Sequence, residues 1–297
     1  MTTRPPAGDL PVVVRSLLPS LPRAEQAVAR HVLEHPSDSS HLTIGALAAA
    51  VGVSQASVSR FCRSVGLSGY PALRLALARE ASRTEVPGRG HLTPGDVVPD
   101  EDLATLVRKV AYASARAVED TASQLDVEVL GRVVDAVGAA RRTDVYGVGA
   151  SAVVGLDLQQ KFHRIGRVVQ TWSDAHMMLT SAALLRPGDV AVGISHSGTT
   201  TEVLDAVARA RAAGAVTVGI TNFPRSPLAR GVDLLLTTAA HETTFRSGAM
   251  ASRTAQLTVV DALFVAVASR SFDATVEALE ATWDAVRTRR EDRGRPR

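Results

Sequence analysis

The chain has 297 residues, 45% of them hydrophobic but only 4% aromatic, and a formal net charge of +3. That length predicts two domains, with cores built from Ala, Val and Leu rather than from rings. The first ten residues lack an apolar targeting core, and the longest apolar stretch, Ala262 to Ala268, is too short to cross a bilayer. The single cysteine, Cys62, excludes an intramolecular disulfide and a multi-cysteine zinc site. Secretion and membrane insertion are therefore disfavoured, and a reducing cytoplasmic location is expected.

Charge is segregated along the chain. Residues 1–83 hold nine arginines against five acids, residues 84–286 hold eighteen basic against twenty-three acidic residues, and residues 287–297 hold six arginines against two acids. A basic first segment beside a mildly acidic body points to a polyanion partner for the first segment and a different task for the body.

In chain order, apolar periodicity predicts helices over Arg23 to Glu34, Thr43 to Val51, Ser54 to Val65 and Pro71 to Ala81. The second and third form a helix-turn-helix. Gly52 ends the first of the pair, Val53 fills the angle between them, and Ser54 caps the second. Val58, Phe61, Cys62 and Val65 fall at i, i+3, i+4 and i+7 and make its buried stripe. The remaining face carries small, polar and cationic residues, and Ser54, Gln55, Ser57, Ser59, Arg60 and Arg63 are the candidate DNA contacts. A generic two-helix corner with a solvated face is the weaker alternative, because the face has no exposed acid. Tyr70 is expected to pack the next helix against this unit. His31, His35 and His41 show no metal-ligand spacing, and neither a metal nor a cofactor is expected.

Residues 84–101 contain three Pro and three Gly with no sustained apolar period, and read as a linker. Helices over Leu103 to Leu125 and Val127 to Ala140 follow. Five short Val-rich strands then alternate with helices, at Thr143 to Val148, Val168 to Thr171, Asp189 to Ser195, Ala215 to Thr221 and Val232 to Thr237. That pattern predicts a parallel sheet covered on both faces. Helices over Ser247 to Ser269 and Asp273 to Arg290 close the domain, and residues 291–297 form a basic tail.

Two strand-to-helix turns carry chemistry. Ser195-His196-Ser197-Gly198-Thr199-Thr200 packs four hydroxyls and a glycine between an apolar strand and an amphipathic helix expected to begin near Thr199. The first N–H groups of such a helix lack intrahelical partners and lie at the positive end of its dipole, so an anion is stabilised there. A capping box of Thr199 with Glu202 explains one hydroxyl. The surplus favours a phosphate. Gly147-Val148-Gly149-Ala150-Ser151 is the second turn. It lacks the third glycine of a dinucleotide fingerprint, and the next strand ends in Gln170-Thr171 without an acid, which argues against NAD. Paired with the Ser195 turn, it makes Ser151 a candidate donor to a sugar hydroxyl or a phosphate at the carboxyl ends of the strands.

Residues 15–83, above all the run from Val51 through Ser54, Arg60 and Phe61 to Tyr70, resemble the helix-turn-helix of the RpiR family of bacterial sugar-phosphate-responsive regulators. Residues 126–270 resemble a sugar isomerase (SIS) domain. The resemblance implies an all-α helix-turn-helix domain over 1–83 and a five-stranded parallel α/β/α sandwich within 102–290. It also implies that Ser151, Ser195, Ser197 and Thr200, with Gly198 and Thr199 in the same turn, hold a phosphosugar. Glu242 matches an acid that approaches the sugar in related isomerases; a solvated loop acid or an ion pair with Arg246 explains it equally well. His196 suits the regulators, and a packed histidine is expected at His176. The SIS fold commonly dimerises and helix-turn-helix units read paired half-sites, so a homodimer or homotetramer is implied.

Two functions follow. One is a regulator that binds a double-stranded DNA operator under control of a phosphorylated sugar. The other is an aldose-ketose sugar-phosphate isomerase, which needs a general base, for which Glu242 and His176 are the candidates. A basic recognition helix serves only the first, so no catalytic residue is assigned.

Overall fold

The computed structural model describes residues 10–84, 100–242 and 249–291. Packing divides the chain into two compact units. The first comprises Met1–Gln124 with Phe223–Arg225 and Ala239–Ser252; the second comprises Leu125–Asn222, Ser226–Thr238 and Arg253–Arg297. Most of the expected linker and the whole basic tail after Glu291 lie outside the described residues. The first unit also takes in the helix Leu103–Gln124, which the sequence pattern assigns to the sheet domain.

The first unit is helical: α1 (Leu10–Leu17), a short 3-10 turn (Leu18–Ser20), α2 (Arg23–Glu34), α3 (Pro36–His41), α4 (Ile44–Val51), α5 (Gln55–Ser64), α6 (Tyr70–Thr84) and α7 (Leu103–Gln124). Two of these helices are not expected from the sequence. The α1 run is apolar nearly throughout, with no polar face to reveal its period, and α3 is six residues of mostly polar chain begun by Pro36. The predicted stripe of α5 is the centre of the core: Val58, Phe61 and Cys62 are fully buried and Val65 is 1% exposed. Against it pack Val14 of α1, Val28 and Val32 of α2, Leu47 of α4, and Leu73 and Leu77 of α6. Tyr70 donates its hydroxyl to the Leu42 carbonyl at 3.0 Å, and Arg74 donates to the Ser40 carbonyl at 3.0 Å, tying α6 to the chain before α4. Burial raises the Tyr70 pKa.

The second unit contains α8 (Val127–Ala139), β1 (Thr143–Gly147), α9 (Ala150–His163), β2 (Val169–Trp172), α10 (Ala175–Ala183), β3 (Val190–Ile194), α11 (Thr201–Ala212), β4 (Val216–Thr221), α12 (Pro227–Gly231), β5 (Leu234–Thr237), α13 (Ala251–Arg270, from Arg253 onward) and α14 (Phe272–Glu291). The strands form one parallel sheet in the order β2-β1-β3-β4-β5. One face, with Val145, Val192, Ile194, Val218 and Ile220, packs on α8, α9 and α13. The other, with Tyr146 and Ala191, packs on α10, α11 and α12. Among the described residues α13 is the one helix long and apolar enough to cross a membrane. Its Val259, Val260, Leu263 and Val267 are committed to the sheet core, which accounts for that hydropathy.

A polar cluster sits inside the second face. Asp144 on β1 is fully buried and pairs with Arg142 through two 2.7 Å hydrogen bonds. The same carboxylate accepts from the Tyr146 hydroxyl at 3.3 Å, from the Trp172 indole at 3.2 Å, and from Ser181 of α10. Burial, then the neighbouring carboxylate, drives the Tyr146 pKa far above the usual phenol range. The cluster ties β1, β2 and α10 together.

Removing one side of a buried ion pair leaves an uncompensated charge, so Asp144→Ala should destabilise the sheet unit by about 3–5 kcal/mol in denaturant unfolding. Phe61→Ala should cost the helical unit about as much by opening a cavity. Burial pushes the Cys62 thiol up to about 11. A thiol reagent at pH 8 should therefore label the native chain far more slowly than the denatured one.

Candidate functional site

In the helical unit α4 begins at Thr43, whose hydroxyl accepts the Ala46 N–H at 3.2 Å. It ends at Gly52, where φ of +73° turns the chain and lets Gly52 N–H bond Ala49 O and Val53 N–H bond Ala48 O. Ser54 then caps α5 by accepting the Ser57 N–H at 3.1 Å. These are the turn and cap expected from the sequence.

The side chains of α5 divide differently from the expected contact set. Ser54, Gln55, Arg60 and Arg63 are exposed and Ser59 is half-buried, but Ser57 is only 5% exposed. Its hydroxyl is held between Ser54 Oγ at 3.0 Å and the Arg60 guanidinium at 2.9 Å, so it orients Arg60 instead of facing outward. The helix period brings Ser57 back beside Val58 and Phe61, on the edge of the buried stripe. Glu25 of α2, which no sequence motif singles out, completes the arrangement. It is 4% exposed, accepts from Ser64 Oγ at 2.7 Å, and lies 3.9 Å from Arg60 Nε. An acid in an amphipathic helix ordinarily faces solvent, and only the packing of α2 on α5 turns this one inward.

In the sheet unit β1 and β3 are hydrogen-bonded neighbours, with Gly147 in register with Ile194. Their helices go to opposite faces, α9 with the first cluster and α11 with the second. Such a switch point leaves a crevice beyond the carboxyl ends of the strands. Both predicted turns border it.

The Ser195 turn is held from within and from β4. Ser195 continues the ladder through its N–H to Ile220 O at 3.0 Å, and Asn222 N–H and Thr221 Oγ1 both donate to the His196 carbonyl at 3.1 Å. Buried Ser195 accepts the Gly198 N–H at 3.0 Å and shares a hydrogen bond with Thr200 Oγ1 at 2.9 Å. Exposed Ser197 and Thr199 face each other at 2.8 Å. Gly198 has φ of +66°, and a Cβ there would lie 2.2 Å from Ser226 Oγ, so only glycine fits. The helix start differs from expectation by a residue or two: Thr200 is the N-cap of α11, its side chain makes no capping bond, and Thr199 with Glu202 forms no capping box. The first N–H groups of α11 thus keep their capacity for an external acceptor.

Across the switch point, Ser151 lies in the first turn of α9, whose N-cap Gly149 likewise supplies no side-chain cap. Its hydroxyl donates to Gln256 Oε1 of α13 at 3.4 Å. His176, expected to be packed, is exposed on α10, because its neighbour Met178 takes the buried position. Glu242 is grouped by packing with the first unit, and its carboxylate accepts the Ser252 N–H at 2.7 Å. Arg246, its possible ion-pair partner, lies outside the described residues. Among the described residues no three His, Cys, Asp or Glu side chains cluster as a metal site.

The family model for the rpiR-family helix-turn-helix domain matches residues 10–84, and that for the SIS domain matches residues 138–266. An uncharacterized HTH-type transcriptional regulator of Caldanaerobacter subterraneus subsp. tengcongensis is 37% identical over 282 residues, covering 95% of this chain and 98% of its own. The chain belongs to the RpiR family of HTH-type transcriptional regulators. HexR of Pseudomonas aeruginosa, another such regulator, is 37% identical over 257 residues, 86% of this chain and 88% of its own. The structure of Vibrio vulnificus NanR complexed with ManNAc-6P aligns over 93% of this chain and 98% of its own, with 30% identity and a TM-score of 0.58. The sugar isomerase domain of an RpiR transcription factor from Sphaerobacter thermophilus, at 24% identity and a TM-score of 0.56 over 60% of this chain and 97% of its own, shares the fold. In this RpiR-family chain the helix-turn-helix is the DNA-binding element and the SIS domain carries the crevice.

Gly198→Ala forces a side chain into both a left-handed backbone and the Ser226 contact. Thermal unfolding of the sheet unit should fall by roughly 2–4 °C for each kcal/mol of strain, with the helical unit unaffected.

Proposed function

We propose that this RpiR-family regulator binds a phosphorylated sugar in the switch-point crevice of its SIS domain and that the sugar sets its affinity for operator DNA. The observation that carries the reading is the Ser195 turn: four hydroxyls and an uncapped helix N-terminus converge where an open α/β sheet takes its ligands. Ser197, Thr199 and the first N–H groups of α11 would hold the phosphate, buried Ser195 with Gly198 would keep the turn in shape, and Thr200 would close its base. That NanR, an aligned relative, is complexed with ManNAc-6P supports the same class of ligand here. The resemblance alone offers Glu242 to the sugar; its described contact is with Ser252 in the first unit.

Residues 1–83 would supply the DNA-binding domain, 84–101 the linker and 102–290 the effector domain. On DNA, Gln55 and Ser59 would face base edges, with Ser54 at the helix start, while Arg60 and Arg63 would pair with phosphates or guanine; Ser57 would act through Arg60. Paired half-sites call for a homodimer or a larger even assembly, working in the cytoplasm where the operator lies. For the sugar to act as a switch it must bind one spacing of the helix-turn-helix units better than the other. No turnover is assigned to the crevice: His176 is an exposed helix residue, and the chain's relatives are regulators.

Replacing Arg60 and Arg63 with Ala should weaken operator binding and lower the slope of log affinity against log salt by about one for each phosphate no longer neutralised. Unchanged affinity and slope would remove α5 from the interface. A thermal-shift screen of hexose, pentose and N-acetylhexosamine phosphates should find a stabilising ligand, and Ser197→Ala should abolish that shift without altering DNA binding in its absence. Steady turnover of any of these sugars at ordinary enzymatic rates, on the order of 1–1000 per second, would overturn the purely regulatory reading.

A further inference from the structure

Gln256 stands out from the helix that carries it. The buried stripe of α13 in the sheet unit runs Ala255, Gln256, Val259, Val260, Leu263 and Val267, and Gln256, 1% exposed, is its polar member. A carboxamide at such a position costs stability unless both its ends are hydrogen-bonded. Only one is: Oε1 accepts from Ser151 Oγ at 3.4 Å, while Nε2 is buried with no partner among the described residues. Turning the amide over would put Nε2 on Ser151 and leave the carbonyl unpartnered instead. Either way one end of the amide is left over beside the first turn of α9.

We propose that Gln256 is a specificity-determining residue of the ligand site, and that with Ser151 it recognises a hydroxyl of the sugar and not its phosphate. This rests on the reading of the crevice as a phosphosugar site. The division of labour follows from the chemistry of the two turns. At the Ser195 turn, hydroxyls and helix N–H groups supply donors, which a phosphate dianion requires. With the amide as placed, the Ser151 hydroxyl donates to Gln256 and Ser151 Oγ offers lone pairs; with the amide turned over, the leftover carbonyl offers them instead. A sugar hydroxyl can donate to those lone pairs; a dianion cannot. The amide is also both donor and acceptor, as a hydroxyl is, and carries no charge with which to favour a phosphate. At 3.4 Å the Ser151 contact is at the loose end of hydrogen bonding, and an incoming hydroxyl can divide it, satisfying the leftover end of the amide.

The test uses the full chain with two probes, inorganic phosphate and the sugar phosphate that stabilises the wild type most in the screen, each titrated by calorimetry. Gln256→Leu, shorter by one carbon, keeps an apolar side chain at the position and removes both polar ends; it should weaken the sugar phosphate about tenfold or more while leaving inorganic phosphate unchanged. Ser197→Ala should weaken both. Gln256→Met, unbranched and neutral, gives the same readout and decides the matter if the Leu variant does not fold. Equal weakening of both probes by the Gln256 variants would make the residue a structural prop, and no weakening of either would remove it from the site; both results overturn the proposal. A wild type that binds neither probe would instead overturn the phosphosugar reading, and the inference with it.

Discussion

The switch-point crevice depends on a single feature of the sheet: β1 and β3 run side by side, while the helices that follow them leave to opposite faces. Sequential strands usually pair, but here β2 takes the outer edge and β3 lies against β1. The loops after β1 and β3 therefore part toward opposite faces of the sheet. The Ser151 and Ser195 turns follow those two strands. The buried Asp144 cluster fixes β1 to β2 and α10 on one face of the sheet, while α8, α9 and α13 cover the other.

The two turns at the crevice solve different problems with the same geometry. Each places a helix N-terminus at the end of a strand, though at α9 the Ser151 and Ala152 N–H groups already bond the Val148 and Gly149 carbonyls. The Ser195 turn adds hydroxyls and is braced by β4 through His196 and by Ser226 against Gly198, so it arrives preorganised for an anion. The Ser151 turn has one hydroxyl, and that hydroxyl is shared with Gln256 on a helix more than a hundred residues later. With a phosphosugar in place as proposed, a preorganised turn for the phosphate and a loose pair for the sugar would make chemical sense together: the charge supplies affinity in any phosphosugar, whereas discrimination among sugars has to come from neutral groups left unsatisfied by the wrong hydroxyl pattern.

The helix-turn-helix shows the same economy. Its turn is set by Gly52 and its caps by Thr43 and Ser54, and its core is filled by the stripe from Val58 to Val65. The cationic face is trimmed by two nearly buried residues. Ser57 steadies Arg60 from within the helix, and Glu25 reaches over from α2 to hold Ser64 and face Arg60. An exposed guanidinium loses less conformational entropy on binding when its rotamer is already limited.

Local pattern alone determined most of the helices, the helix-turn-helix with its cap and turn, the five strands to within a residue or two, and the hydroxyl-rich turn after the third strand. Each of these is written in neighbours within a few positions, through apolar period, capping chemistry and glycine. The order of strands was not legible in this way, because β1 to β3 pairing is a contact across forty-odd residues that no local period encodes. Gln256 and Glu25 escaped for the same reason. Each is a polar residue on an ordinary amphipathic helix, and only the docking of that helix decides whether it meets water or a partner. Ser57 and His176 went the other way: residue type places Ser57 outward and His176 inward, and the rotation of their helices, set by distant core contacts, reverses both. Sequence named the chemistry of this regulator, and tertiary packing decided which of its polar groups are available to do it.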